Sequence, residues 1–253
     1  MKMAGNTVLI TGGGSGIGLA FVERFLKKGN NVIIVGRREE KLQEAKRKFP
    51  ELHIKACDLS KQEERISLFE WVTSHFPDVN VLVNNAGIQQ RVNLLKATEH
   101  WDYYSKEIHI NVEGLIHLSL LFIPYFLTRT DASIINISSG LAIRPGAWVP
   151  IYSATKAAVH SFTTSLRLQL ENTHISVVEV FPPAVNTDLG GVGLHTFGAP
   201  LNSFADSIFE RFEKGDLEIG YEDSEKRLHA SREENAEGMK KSWEGFLKGN
   251  PDF

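Results

Sequence analysis

Short, continuously apolar runs alternate along this chain with longer stretches in which apolar residues recur every three or four positions. The runs fall at Thr7–Thr11, Asn31–Val35, Leu52–Ala56, Val79–Val83, Ser133–Ile137, Ser176–Phe181 and Leu217–Ile219. Stretches such as TVLIT, VIIV and VLV do not alternate apolar with polar residues, which predicts strands covered on both faces, as in a parallel sheet between helix layers. The amphipathic stretches predict helices over Ile17–Lys28, Glu39–Phe49, Gln62–His75, Trp101–Thr128, Tyr152–Glu171 and Ser203–Glu213. Asp58 and Ser60 are capping candidates ahead of the third helix. Repeated strand–helix–strand units imply right-handed crossovers, hence an α/β fold with a doubly wound parallel sheet flanked by helices.

The length of 253 residues suits one such domain over residues 1–253, with 42% hydrophobic and 23% charged residues to supply core and surface. From about residue 221 the chain turns charged and apolar-poor, and reads as a helical extension on the surface. A formal net charge of -3 without a long basic run argues against nucleic acid as a partner. The single cysteine, Cys57, excludes an internal disulfide framework and suits a reducing compartment. Residues 1–6 are too short and polar for a signal peptide, and no stretch approaches the roughly 20 apolar residues of a membrane span. A cytoplasmic location without membrane insertion is therefore expected.

Candidate chemistry begins directly after the first strand, at Thr11-Gly12-Gly13-Gly14-Ser15-Gly16-Ile17-Gly18. Glycines there allow a tight turn and a close backbone approach to a pyrophosphate, which the unpaired N–H groups of the following helix attract. A plain strand–helix turn also uses glycine, so the flanking strand and helix carry the nucleotide reading. The second strand ends Val35-Gly36-Arg37-Arg38, where a carboxylate would bind free ribose hydroxyls. A guanidinium instead matches a 2′-phosphate through paired charge-assisted hydrogen bonds, which favours NADP(H) over NAD(H).

Tyr152 and Lys156 stand four residues apart, one turn apart on one helix face. A phenol titrates near pH 10, and a neighbouring ammonium should bring it toward the working range. Ser139 precedes Tyr152 by thirteen residues, at the carboxyl end of a strand, where ligands sit in open α/β sheets. Its hydroxyl is placed to hold a carbonyl oxygen while Tyr152 supplies the proton. Singly, each residue has an ordinary structural use; their order and spacing together with the glycine turn make coincidence a poor account.

With these motifs in place, the chain resembles the short-chain dehydrogenase/reductase family, in its ordinary single-domain Rossmann-type branch, from about Asn6 to Thr187. The motifs are TGGGSGIG (11–18), CDL (57–59), NNAG (84–87), Asn111, NISS (136–139) and YSATK (152–156). The resemblance implies that Gly12, Ser15 and Ile17 line the pyrophosphate, in a turn completed by Gly16 and Gly18, and that Arg37 faces the 2′-phosphate. It implies that Asp58 and Leu59 frame the adenine, and that Asn85, Ala86 and Gly87 back the adenosine. Ser139, Tyr152 and Lys156 form the catalytic group, Tyr152 and Lys156 also touching the cofactor, and Asn111 organises a water in a proton relay. Where the family shows Pro-Gly after the sixth strand, this chain has Pro182-Pro183-Ala184-Val185-Asn186-Thr187, in which proline cannot take a glycine-only conformation. Val185 and Thr187 are the residues expected to face the nicotinamide carboxamide. PPAVNTDL, NNAGIQ and IGYEDSEKRLHASR resemble a bacterial subgroup called DltE-like.

The substrate, a small carbonyl compound or alcohol, is expected among Gln89, Gln90, Arg91, Leu141, Ala142, Arg144, Trp148 and the loop Leu189–Pro200. Leu141, Trp148 and Phe197 point to a partly apolar compound; Arg91 or Arg144 would suit a carboxylate. The glycine-rich loop reads equally as a lid and as an ordinary surface loop. His100, His109 and His117 lack metal-ligand spacing, and no metal is expected. By resemblance the long helices around Asn111 and Tyr152 form a homodimer or homotetramer surface. Two competing functions retain the fold: a nucleotide-sensing binding protein, and a cell-envelope accessory protein acting through the charged tail.

Overall fold

Seven parallel strands form one sheet in the order β3-β2-β1-β4-β5-β6-β7 in the computed structural model, which describes residues 2–253 and leaves only Met1 outside. They are β1 (Thr7–Thr11), β2 (Asn31–Gly36), β3 (His53–Ala56), β4 (Val79–Asn84), β5 (Ala132–Ile137), β6 (Ile175–Phe181) and β7 (Glu218–Gly220). Each predicted strand is present, with ends moved by one residue where they differ. The continuous apolar runs have a simple cause. Side chains alternate across the pleat, so Val8 and Ile10 enter one core and Leu9 enters the other, and both faces must be apolar.

The first core is closed by α1 (Gly16–Lys27), α2 (Glu39–Lys48) and α7 (Leu201–Lys214). Its centre is aromatic: Phe21 meets Phe209 edge to face at 5.4 Å and Phe212 at 6.2 Å, and lies stacked near Phe204 at 6.4 Å. The opposite face carries α3 (Gln62–His75), the paired helices α4 (Trp101–Ile108) and α5 (Gly114–Phe126), and α6 (Pro150–Gln169). Leu118, Phe122 and Phe126 of α5 fill that core with Leu68 and Val72 of α3.

Three expectations change. The helix expected over Trp101–Thr128 is interrupted by a π-helical turn at His109–Glu113 that carries Asn111. Asp58 and Ser60 do not cap α3: its N-cap is Lys61, and Asp58 instead closes its own turn by accepting from the Ser60 N–H at 3.0 Å and hydroxyl at 2.8 Å. One stretch does meet the length and composition of a membrane span, Trp101–Phe126, because its charges gather in the first half. Its apolar half is a core helix of the sheet. The tail lies on the surface and is held there by a few contacts.

That tail forms α8 (Asp223–His229) and α9 (Arg232–Gly249). A reciprocal capping box starts α9: Ser231 Oγ accepts from the Glu234 N–H at 3.1 Å, and the Glu234 carboxylate accepts from the Ser231 N–H at 2.7 Å. Ser224 of α8 is fully buried against Gly140. Beyond it, Phe246 stacks on Trp148 at 5.1 Å and on Trp243 at 5.7 Å, with Phe253 edge-on at 4.9 Å. Lys96 Nζ donates to the Asp252 carbonyl at 2.8 Å. The tail thus joins the loop after β4 to the loop before α6. Its mixed composition hid this, because a few aromatics one or two turns apart are enough to dock a charged helix.

Because Phe21 is wholly excluded from solvent among other rings, Phe21→Ala should lower the unfolding free energy by about 3–5 kcal/mol in urea titrations. Leu95→Ala, at a position 97% exposed, should change it by less than about 0.5 kcal/mol. Equal effects would show that the core is wrongly described.

Candidate active site

The order of strands reverses between β1 and β4, and the crevice at their carboxyl ends is where the fold offers a ligand site. Gly12 turns the chain there with φ +67°, and a Cβ on it would stand 2.9 Å from Ala86 Cα. A Cβ on Gly18 would overlap the Gly12 carbonyl oxygen. The backbone is therefore folded onto itself more closely than any side chain permits, leaving a cradle lined by Gly12, Ser15, Gly16 and Ile17. Ser15 is the N-cap of α1, yet its side chain makes no capping bond, so the helix's leading N–H groups keep their capacity for an anion.

Thr11, a residue with no local signal for this use, fastens the two sides. Its hydroxyl donates to the Val83 carbonyl at 3.2 Å and accepts from the Asn85 and Ala86 N–H groups at 2.9 and 3.0 Å. Asn85 returns the bond, its amide donating to the Thr11 carbonyl at 2.9 Å. At the far rim, Thr187 lies 3.5 Å from the Cβ direction of Gly16, and Val185 is buried behind it. Pro183 does not prevent the approach. Val185 and Ala199 are bridged, with the Asn186 N–H donating to the Ala199 carbonyl at 2.9 Å, which pins the neck of the loop Leu189–Pro200.

Arg37 is exposed beyond β2, beside Asp58. Burial pushes the Asp58 carboxyl upward, but hydrogen bonds from Ser60 and the Arg37 charge leave it net below its usual value. It is the adjacent Arg38 whose Nη2 reaches Ser15 Oγ at 3.3 Å, at the mouth of the cradle. Leu59 is buried under Gly114, at the start of α5.

The catalytic candidates converge one strand further on. Ser139 follows β5 and caps a short 3-10 turn (Gly140–Ala142), its oxygen accepting from the Leu141 N–H at 3.1 Å. Ser138 is turned away, bonded through both N–H and hydroxyl to the Val180 carbonyl of β6. Tyr152 and Lys156 leave the first turns of α6, the Lys156 Nζ 5.6 Å from the phenol ring centre and donating to the Ile137 carbonyl at 2.8 Å. A Cβ on Gly87 would lie 3.2 Å from Asn111 Oδ1 and 3.7 Å from Lys156 Nζ, so the NNAG turn, the π turn and α6 meet at one point.

Two details differ from expectation. Burial raises the Tyr152 phenol above its ordinary value; the Ser139 hydroxyl beside it lowers it only in part, and Lys156 does not bring it into the neutral range. Burial also lowers Lys156 to about 8, offset in part by Glu179. Asn111 spends its side chain internally: its oxygen accepts from the Ile88 N–H at 2.9 Å, and its amide donates to the Ile88 carbonyl at 2.9 Å and to Thr155 Oγ1 at 3.1 Å. Thr155, also unassigned from sequence, donates in turn to the Tyr152 carbonyl at 2.7 Å.

Of the expected substrate residues, Trp148 is covered by Phe246, the Arg91 guanidinium lies over the same Phe246 ring at 5.6 Å, and Arg144 Nε donates to Asn235 Oδ1 at 3.1 Å. The two arginines are held by the tail. Phe197 is 76% exposed on its loop, tilted beside His195 at 6.1 Å. His109 pairs with Glu113 at 3.0 Å and His117 accepts from Arg65 Nε at 3.0 Å; among the described residues no group of three metal-ligating side chains gathers.

Comparison with known proteins agrees with this geometry. The model of the short chain dehydrogenase family matches residues 6–192. An uncharacterized oxidoreductase of Bacillus subtilis (strain 168), DltE, is 43% identical over 92% of this chain and 94% of its own. The NADP-dependent 3-hydroxy acid dehydrogenase YdfG of Escherichia coli (strain K12) is 32% identical over 70% of this chain and 72% of its own. Among solved structures, a 3-ketoacyl-(acyl-carrier-protein) reductase from Brucella melitensis, complexed with NADH, superposes with a TM-score of 0.78 at 27% identity, covering 87% of this chain and 97% of that one. The chain belongs to the short-chain dehydrogenase family and is an oxidoreductase of a kind that binds a nicotinamide cofactor.

Proposed function

We propose that this protein is an NADP(H)-dependent oxidoreductase that interconverts a carbonyl and an alcohol, with Tyr152 as general acid/base. The observation that carries this reading is the convergence of Ser139, Tyr152 and Lys156 at the carboxyl edge of the sheet, beside the Gly12–Gly18 cradle. A nicotinamide cofactor held there would supply or accept the hydride. Ser139 Oγ holds the carbonyl oxygen, and the Tyr152 hydroxyl passes it a proton in reduction or takes one in oxidation. Lys156 holds the nicotinamide ribose and keeps positive charge at the site below about pH 8. Asn111 serves the relay through its backbone carbonyl in the π turn, since its amide is committed to Ile88 and Thr155. Gly12, Ser15, Gly16, Ile17 and Gly18 take the pyrophosphate, Asp58 and Leu59 the adenine, Asn85 to Gly87 the adenosine face, and Val185 and Thr187 the carboxamide.

NADP(H) is favoured by the lack of a carboxylate at the turn that ends β2 and by the pair Arg37 and Arg38 there, the second already at the cradle mouth. Exposed Leu120 and Leu168, on α5 and α6, suit a homodimer or homotetramer built on those helices. A cytoplasmic location suits the lone, buried Cys57, whose thiol burial pushes up to about 12. The tail lends an accessory role no separate support, because its aromatic face is occupied by Trp148.

Tyr152→Phe should bind NADPH as the parent does in fluorescence titrations, yet lose turnover by about 10²–10⁴-fold on a panel of aldehydes, ketones and alcohols followed by nicotinamide absorbance. Retained turnover would overturn the mechanism. Arg37→Ala should weaken NADPH by about 10–100-fold while leaving NADH nearly unchanged. If the unaltered enzyme prefers NADH, the phosphate argument fails.

A further inference from the structure

Glu107 of α4 is completely excluded from solvent, although nothing in the proposed mechanism uses it. One carboxyl oxygen accepts from the Gln90 N–H at 2.7 Å. The other has no partner, and the buried side-chain oxygen of Gln90 is unpartnered too. Among the described residues no cation pairs with Glu107. A carboxylate so placed has lost its hydration for a single hydrogen bond, a situation that favours its neutral form.

Its position gives this meaning. Gln90 ends the loop that starts at Ile88, and Ile88 is held at both N–H and carbonyl by Asn111. Glu107 and Asn111, four residues apart, therefore clamp the two ends of one short loop at the reaction centre. Packed against α4, α6 presents Tyr152 and Lys156. The π turn presents His109, already paired with Glu113, and the loop before α4 presents Arg91, drawn off over Phe246. Of these groups, Tyr152 feels the charge of Glu107, in the sense that raises the phenol.

We propose that Glu107 is a positioning residue that anchors the Ile88–Gln90 loop and whose charge adds to the burial that keeps the Tyr152 phenol proton-bearing, setting the site for carbonyl reduction through and above neutral pH. This rests on the function proposed above. Burial pushes Glu107 up to about 7, with the Gln90 N–H pulling the other way, so the charge develops as pH rises through the neutral range. Each increment of that charge makes a second negative charge on Tyr152 harder to form. The acid needed for reduction is kept to higher pH, and the phenolate needed for oxidation is delayed. The overall equilibrium between carbonyl and alcohol is untouched; the pH range in which each direction runs is what moves.

Glu107→Gln keeps the size of the side chain and an oxygen for the Gln90 N–H while removing the charge. Two measurements test the role. In infrared titrations the unaltered enzyme should show a protonated-carboxyl band that fades with a midpoint of about 7 and is missing from Glu107→Gln. In pH profiles of kcat, using the best ketone of the panel with NADPH and its alcohol with NADP+, Glu107→Gln should lose reduction about one pH unit earlier on the alkaline side. Its acid limb of oxidation should move down by a similar amount. A residue that only held the loop would leave both limbs in place. Superimposable profiles, or no such band in the unaltered enzyme, would overturn the proposal; the infrared reading stands even if the variant folds poorly. Turnover surviving in Tyr152→Phe would overturn the function itself, whereas superimposable Glu107→Gln profiles beside an inactive Tyr152→Phe would overturn the Glu107 role alone.

Discussion

The narrow strip where Gly12 passes Ala86 governs the geometry of this protein's carboxyl edge. Any side chain at Gly12 would meet the backbone of the β4 turn, and the two segments are stitched together by the Thr11 hydroxyl and the Asn85 amide. The stitch sets where the NNAG turn ends, which sets Gly87 against Asn111 and Lys156. From there Asn111 fixes Ile88, and Thr155 ties Asn111 to the first turn of α6. One steric condition on the nucleotide side is thereby transmitted by hydrogen bonds to the residues of the chemical centre. Beneath them, Asn84, Ser119, Asn136 and Thr163 form a second buried chain from α5 across β4 and β5 to α6, which keeps the strand ends level.

The electrostatics of the centre are decided by dehydration. At an effective dielectric of about 20, charges roughly 5–6 Å apart attract by about 3 kcal/mol, worth some two pH units, while full burial moves a group by up to three to five. Tyr152 and Lys156 are both buried, and each is shifted toward its neutral form despite the other. Glu179 offsets part of that dehydration at Lys156, whereas Glu107 adds to it at Tyr152.

How far the sequence could be read follows from the range of each interaction. The sheet was legible because its inner strands, β1, β2, β4, β5 and β6, are buried on two faces and their apolar runs record that locally; the edge strand β3, without a buried residue, carries a weaker mark. The spacing of Tyr152 and Lys156 recorded a helix face, and the position of Ser139 recorded a strand end. The π turn was not legible: five residues at a slightly wider pitch do not disturb an apolar pattern that continues on both sides. Nor was the Asx turn of Asp58, since the same residue types cap helices. The uses of Arg91, Arg144 and Trp148 depend on Asn235 and Phe246, roughly a hundred residues or more away in sequence, and no local pattern encodes such a contact. Glu107 carried no signal in the sequence, because burial of a single carboxyl is a property of the assembled loops.

The docking of Phe246 on Trp148 also orders events in time. Everything that shapes the cradle, from Thr7 through Gly87, is synthesised before any of α9 exists. At a usual rate of synthesis, roughly ten to thirty seconds separate Gly87 from Phe246. In that interval Trp148, Arg91 and Arg144 lack the partners that fix them in the finished fold. A chain cut before α9 would keep every residue of the glycine turn and of the α7 core beneath it, but none of the tail contacts that hold the substrate side.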